Sequence, residues 1–270
     1  MRGQGVEQRH DPPERTARYL HLCDRRIGST PVRAPRNEAP LGTHLPSADL
    51  SHRFETIRDA RPQDTCFPAM AWPPSATRLI GDVVELSRCV PDRDAAALFE
   101  VLDEDAVWQH VPWRPPDPQT YAAALAKMQA DGRIVWIVRL IRPHGRLAAG
   151  AIVGTSSYLD VSVRDARLEI GATAYTPAVW ATKVNPDTKV QLLACAFEHL
   201  GVGRVQLKTD VRNVRSQAAI ARLGARYEAT LRRYQRRSDG TVRDTVLFSI
   251  LAEEWPGVRK GLLTRVRGSE

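Results

Sequence analysis

Two patterns of apolar and polar residues divide this chain, and the change between them falls near residue 75. Residues 1–74 carry many Arg, Pro, His and Asp, as in Asp11-Pro12-Pro13, Arg25-Arg26 and Pro31-Val32-Arg33-Ala34-Pro35-Arg36, with no sustained apolar period. Such a segment buries too little surface to offset an ordering entropy of roughly 1–2 kcal/mol per residue, so it is expected to be disordered or loosely attached. It reads either as a basic arm that touches nucleic acid or a ribosome, or as an extension from an early start codon. The second is favoured, because Met70 lies just before Trp72-Pro73-Pro74, where the globular pattern begins.

Beyond that point the periods alternate between two and 3.6. Val83-Val84-Glu85-Leu86 reads as a strand, and Pro91-Asp92-Arg93-Asp94 opens a helix through Leu102, with Asp92 or Asp94 near its cap. A loop rich in aromatics and prolines, Val107 to Pro116, leads to Asp117-Pro118, which caps a second helix over Tyr121 to Met128. Strands are predicted at Ile134–Ile141, Ala148–Tyr158 and Arg167–Tyr175. Asn185-Pro186-Asp187 then starts a helix with Val190, Leu193, Ala194, Phe197 and Leu200 at helical spacing, closed by Gly201. Arg204–Thr209 alternates like a strand, Asn213–Leu223 is a capped helix closed by Gly224, and Arg226–Arg236 with Val242–Leu251 forms a hairpin turned at Ser238-Asp239-Gly240. The predicted class is α+β, a mixed sheet with helices following its central strands.

Composition narrows the picture only slightly. The 270 residues, 43% of them hydrophobic, allow one full domain plus an appendage. The plan is an extension over 1–74, a domain over 75–260 and a basic tail over 261–270. No apolar run approaches the roughly 20 residues of a membrane helix, and Met1-Arg2-Gly3-Gln4 lacks a secretory core, so a cytoplasmic protein is expected. Cys23, Cys66, Cys89 and Cys195 are scattered, which suggests neither a disulfide framework nor a metal site, and Cys195 falls in a core-like helix. The formal charge of +8 suits a polyanionic partner or a phosphorylated cofactor.

Candidate chemistry gathers at two helix starts that each follow a strand. A helix start offers unpaired N–H groups and the positive end of the macrodipole, which makes it an anion site. At the first, Trp180-Ala181-Thr182-Lys183-Val184-Asn185-Pro186 presents backbone amides, the Thr182 hydroxyl and the Lys183 ammonium, with Asn185 as the cap and Pro186 at the first helical position. At the second, Asp210-Val211-Arg212-Asn213-Val214-Arg215-Ser216 puts Asn213 at the cap and Ser216 one turn on. Each also has the plainer explanation of a helix cap beside a solvated charge.

Three blocks carry a resemblance to a known family. They are Glu169-Ile170-Gly171 before Trp180-x-Thr182-x-Val184-Asn185-x-x-x-Lys189; then Lys208-Thr209-Asp210-x-x-Asn213-x-x-Ser216-x-x-Ala219-Ile220-x-x-Leu223-Gly224-Ala225; then Asp239-Gly240-Thr241-x-Arg243-Asp244-Thr245 with Glu254-Trp255-Pro256. From about Leu79 to Arg259 the chain resembles the GNAT N-acetyltransferases, and within them the ribosomal-protein N-terminal acetyltransferase (RimJ/RimL-type) branch. The resemblance implies a mostly antiparallel twisted sheet flanked by helices on both faces, acetyl-CoA as co-substrate and no metal. Trp180, Thr182, Lys183, Val184 and Asn185 match the pyrophosphate loop, with Lys189 in the same block. The glycines usual in that loop are missing, so its amide cradle is expected to form from ordinary backbone conformations. Asn213 matches the residue at the pantetheine arm, Ser216 the acid that protonates the departing thiolate, and Glu169 a strand carboxylate that draws a proton from the amine. Glu169 also reads as a partner of Arg167 or Arg164, and at the level of sequence neither reading displaces the other.

Direct attack of an amine on a thioester needs proximity, a base and a backbone donor, but no covalent nucleophile. An α-amine titrates near 7.7–8.0 and a lysine near 10.4, so a modest base suits a protein or peptide N-terminus. Trp108, His110 and Trp113 are candidates for the acceptor cleft; their plainer role is a hydrophobic plug over the sheet. The rival readings are acetylation of a small amine such as an antibiotic, polyamine or amino acid, and a non-catalytic acetyl-CoA-binding module. The partners implied are acetyl-CoA and an acceptor amine, with the ribosome and a second copy of the chain as further candidates and no membrane.

Overall fold

The computed structural model describes residues 69–237 and 239–268. The predicted N-terminal arm up to residue 68, including Cys23 and Cys66, and Ser238 at the hairpin tip lie outside the described residues.

The described residues form eight strands: β1 (Arg78–Ile80), β2 (Val84–Arg88), β3 (Ile134–Leu140), β4 (Ile152–Ser162), β5 (Arg167–Tyr175), β6 (Arg204–Asp210), β7 (Arg226–Arg236) and β8 (Val242–Leu251). The helices are α1 (Pro91–Leu102), α2 (Asp105–Trp108), α3 (Pro118–Ala130), α4 (Val184–Ala194), α5 (Val214–Arg222) and α6 (Trp255–Arg267). One sheet holds all the strands in the order β1-β2-β3-β4-β5-β6-β8-β7. Every neighbouring pair is antiparallel except β5 and β6, which run parallel. The expected mixed, mostly antiparallel sheet is therefore present.

The apolar run of β3 is buried on both faces, as a strand covered on two sides must be. Ile134, Trp136, Val138 and Leu140 join the core beneath α4 and α6, while Val135 and Ile137 face α1 and α3. Helices cover both faces of the sheet, with α5 lying on the α4 side, where Ile220 and Leu223 pack. Asp94 accepts the Val90 N–H at 2.8 Å at the start of α1, and Asp117 accepts the Thr120 N–H at 2.7 Å at the start of α3. Both acids stand at the helix starts predicted for them.

Two boundaries move. The Ala71 N–H donates to the Leu200 carbonyl at 2.8 Å, and Trp72 meets Tyr158 edge to face, so residues just before 75 pack on the domain. Gly201 makes room for that approach: its φ is +68°, and a Cβ there would lie 2.5 Å from the Ala69 carbonyl oxygen. At the other end, α6 carries the chain beyond residue 260 as helix, with Leu262 and Val266 in the core, rather than as a basic tail. Cys89 and Cys195 are buried free thiols. Among the described residues no helix is long and apolar enough to cross a membrane, and no group of His, Cys, Asp and Glu is arranged to hold a metal ion.

Candidate active site

The site begins where the sheet opens. Strands β5 and β6 pair only from Arg167–Arg204 to Glu169–Gln206, yet β5 continues to Tyr175 and β6 to Asp210. Beyond Glu169 their facing edges have no strand partner, which leaves backbone donors and acceptors turned into the gap. The divergence coincides with a bulge between β4 and β5, where Ala172 and Thr173 oppose the single residue Ser156. Ala172 has φ +47°, a left-handed conformation that costs an alanine about 1–2 kcal/mol. Bulges of this kind bend a strand and re-aim its side chains.

A helix starts beyond the end of each diverging strand. The α4 start is built without a side-chain cap on its first residue; Lys183 precedes the helix and Asn185 lies inside the first turn, not at the cap as expected. The Thr182 hydroxyl donates to the Val179 carbonyl at 2.6 Å and accepts the Val184 N–H at 3.3 Å. Pro186 is tolerated at its position because first-turn N–H groups have no intrahelical partner. Ala181 has φ +60°, so the glycine-poor loop does not use ordinary conformations throughout; an alanine takes the left-handed one. At the α5 start Asn213 is the cap, its Oδ1 accepting the Ser216 N–H at 3.0 Å. The Arg215 guanidinium carbon lies 3.5 Å from the centre of the Trp180 ring, joining the two starts across the gap.

Around this gap is a cavity of about 1210 Å³. Trp180, Thr182, Asn185, Lys189, Asn213, Ser216 and Glu169 line it, and so do Trp108, His110 and Trp113. Two predicted residues stand apart: the Val184 side chain is in the core, and Lys183 is exposed outside the cavity lining. Trp108 is shared between roles, because its Nε1–H donates to the Leu102 carbonyl at 2.7 Å while its ring packs edge-on against Tyr121. The loop that carries His110 and Trp113 is tied down by Arg114, which bonds Asp103 and Asp105 at 2.6 Å each.

Lys189 points inward. Only 4% exposed, its Nζ donates to Ser156 Oγ at 3.1 Å and Thr173 Oγ1 at 2.8 Å, holding the two sides of the bulge. It has no carboxylate partner among the described residues, and burial lowers its pKa to about 7.

Glu169 is the last paired residue before the opening. Its partner is Lys208 at 3.0 Å, not Arg167 or Arg164. Parallel pairing with Gln206 puts the carboxylate on the sheet face that carries Lys208 two residues on. Lys208 also reaches Asp160 at 3.0 Å and the Tyr234 hydroxyl at 3.1 Å. Burial raises the Glu169 pKa, and the Lys208 ammonium holds part of that rise back. Gly171 keeps the space: a Cβ there would stand 2.6 Å from Glu169 Oε1. A partly desolvated carboxylate at a cavity wall can take a proton from an amine. Lys208 opens the second of the three sequence blocks and alternates with Gln206, but its role depends on strand pairing that spacing does not reveal. Arg133 and Tyr234 also line the cavity and carry no local signal of it; Arg243 lines it too and stands in the third of the sequence blocks without a role attached to it there.

The gap fits a thioester-bearing pantetheine, since an extended amide chain can bond the free strand edges while a diphosphate meets the helix starts. The family model for an acetyltransferase (GNAT) domain matches residues 84–226. A T. thermophilus protein described as an acetyltransferase is 33% identical, with 73% of this chain and 98% of that one covered and a TM-score of 0.63. A GNAT-family acetyltransferase of Chromobacterium violaceum is 26% identical over 84% of this chain and 100% of that one, with a TM-score of 0.62. Mycobacterium smegmatis RimJ, solved in complex with CoA-disulfide, shares the fold at 22% identity, covering 74% of this chain and 97% of its own, with a TM-score of 0.58. No curated protein matches the chain. A sheet that splits between its parallel strands, two helix starts on one gap and a matching domain model together identify the chain as a member of the GNAT acetyltransferase family, enzymes that move an acetyl group from acetyl-CoA.

Proposed function

We propose that this acetyltransferase acts on the N-terminal α-amine of a protein or peptide. The observation that carries the reading is the Glu169–Lys208 pair at the cavity wall. A single carboxylate with an ammonium 3.0 Å away is a modest base, adequate for an amine that titrates near 7.7–8.0 and poor for a lysine near 10.4. The same ammonium, with Arg133 and Arg243 lining the cavity, repels polyamines and other polycations.

Acetyl-CoA supplies the acetyl thioester. Asn213, Asn185, Thr182 and Trp180 hold its diphosphate and pantetheine at the two helix starts. Lys183 offers charge from outside the cavity, while Val184 and Lys189 act from the core by fixing the helix and the bulge. Glu169 receives the proton of the attacking amine, directly or through one water. The unpaired edge of β5 presents N–H groups to the developing negative charge, and the Ser216 hydroxyl provides the proton for the departing sulfur. Trp108, His110 and Trp113 wall the acceptor.

A thiol-release assay with acetyl-CoA tests the reading against free N-terminal peptides, N-terminally blocked lysine peptides and polyamines. Free N-termini are expected to turn over at least about tenfold faster than the other two. Glu169→Gln is expected to lower that rate about 10²–10⁴-fold. Preference for spermidine or a blocked lysine peptide would overturn the proposal.

A further inference from the structure

The carboxylates on the cavity wall are all matched, whereas several of its cations are not. Lys208 bonds Glu169 and Asp160, and Asp210 is held by Arg237 at 2.6 and 3.0 Å. Arg243 is different. It is 9% exposed, its Nε has no hydrogen-bond partner, and no carboxylate lies within ion-pair distance of it among the described residues. Among the described residues, Arg133 beside the same cavity bonds only the Met128 sulfur, at 3.3 Å from its Nη1. Asp210 and Glu169 act on Arg243 only at longer range, and its buried Nε–H left without an acceptor is costly unless something that enters the cavity supplies one.

Strand alternation decides which ligand that is. Arg243, Thr245 and Leu247 share a face of β8, and Leu247 pairs with Lys208, so Arg243 shares the face of Lys208 and Glu169. The helices α4 and α5, whose starts receive the cofactor, pack on the opposite face. The four residue steps from Leu247 to Arg243 span about 13 Å of strand. An acceptor whose amine lies at Glu169 would therefore meet Arg243 with a group further along its own chain.

We infer that Arg243, assisted by Arg133, binds a carboxylate of the acceptor, so that the preferred substrate is an N-terminus followed closely by an acidic residue. The inference rests on the acetyl-transfer reading of the site. A planar fork aimed at a carboxylate gives a bidentate pair that lysine cannot reproduce.

The test compares peptides beginning Ala-Asp or Ala-Glu with those beginning Ala-Asn or Ala-Gln, by turnover and by calorimetric binding to the CoA-saturated protein. Free alanine and alaninamide form a binding-only pair. The acidic peptides are expected to bind about tenfold or more tightly than their amides. In Arg243→Met the acid-to-amide ratio should fall close to one, in Arg243→Lys it should recover only in part, and Arg133→Met should lower it less. Equal binding of acid and amide peptides, or an unchanged ratio in Arg243→Met, overturns the inference, and so does a preference confined to free alanine. Turnover of neutral peptides without acid preference would sink this inference and leave N-terminal acetylation standing. Acid-selective binding through Arg243 with no turnover of any peptide would leave the carboxylate site standing and sink N-terminal acetylation.

Discussion

The two helix starts that face the gap are alike in sequence position and unlike in how they are held. The start of α4 is fastened to the core. Asp187 is 1% exposed and accepts the Val83 and Val84 N–H groups at 2.7 and 2.9 Å, across the turn between β1 and β2. Lys189 grips the bulge from the same helix, and Val184 and Pro186 are buried. The start of α5 hangs on one cap, with Val214 71% exposed and Arg215 resting on Trp180. The first is therefore a foundation for the sheet as much as a proposed binding element, whereas the second carries little structural load beyond its own cap. Similar local motifs divide structural and functional duty according to what surrounds them.

That contrast can be broken most directly at Asp187. Asp187→Ala strands one buried and one half-buried backbone donor, at about 1–3 kcal/mol for the buried one, and is expected to lower unfolding free energy by about 3 kcal/mol in a urea titration. A loss below about 1 kcal/mol would mean that α4 is not anchored there. Lys189 sharpens the same point through pH. Its folded pKa of about 7 lies below the ordinary 10.5, so between those values the unfolded chain binds more protons and stability rises with pH. The slope from this group is at most about 1.4 kcal/mol per pH unit, and it should vanish in Lys189→Met. Unfolding titrations of the two proteins at pH 7, 8 and 9 that run parallel would contradict it. Asn213→Ala gives the opposite signature: a cap loss of about 1 kcal/mol, with turnover falling about tenfold or more. Activity that merely tracks thermal stability would place both starts in the same structural role.

How much of this is legible in the sequence follows the range of the interactions. Asn213 and Asp117 announce themselves because a cap and the amide it accepts lie three residues apart. Glu169 emerges from a strand pattern, but its true partner Lys208 belongs to the next strand in the sheet, and nothing local chooses Lys208 over Arg167. The α4 start differs from its predicted cap by two residues since Asn185-Pro186 imitates a cap, while the amides that Asp187 satisfies lie more than a hundred positions away. Helix α6 looks like a tail from residue 261 because Pro256, Gly257 and Gly261 dilute its helical signal; burial of Trp255, Leu262 and Val266 outweighs that. Arg243 belongs to the third sequence block, but its want of an acceptor leaves no sign there, for that is a property of the folded neighbourhood alone.

The contact between Arg215 and Trp180 has an optical consequence. An indole pressed under a guanidinium emits differently from one released into a hydrated or phosphate-lined setting. A diphosphate settling between the helix starts competes for that same cation, so the molecule holds a native chromophore at its own doorway. A titration with coenzyme A is thus expected to change the ultraviolet emission of the protein with no label attached.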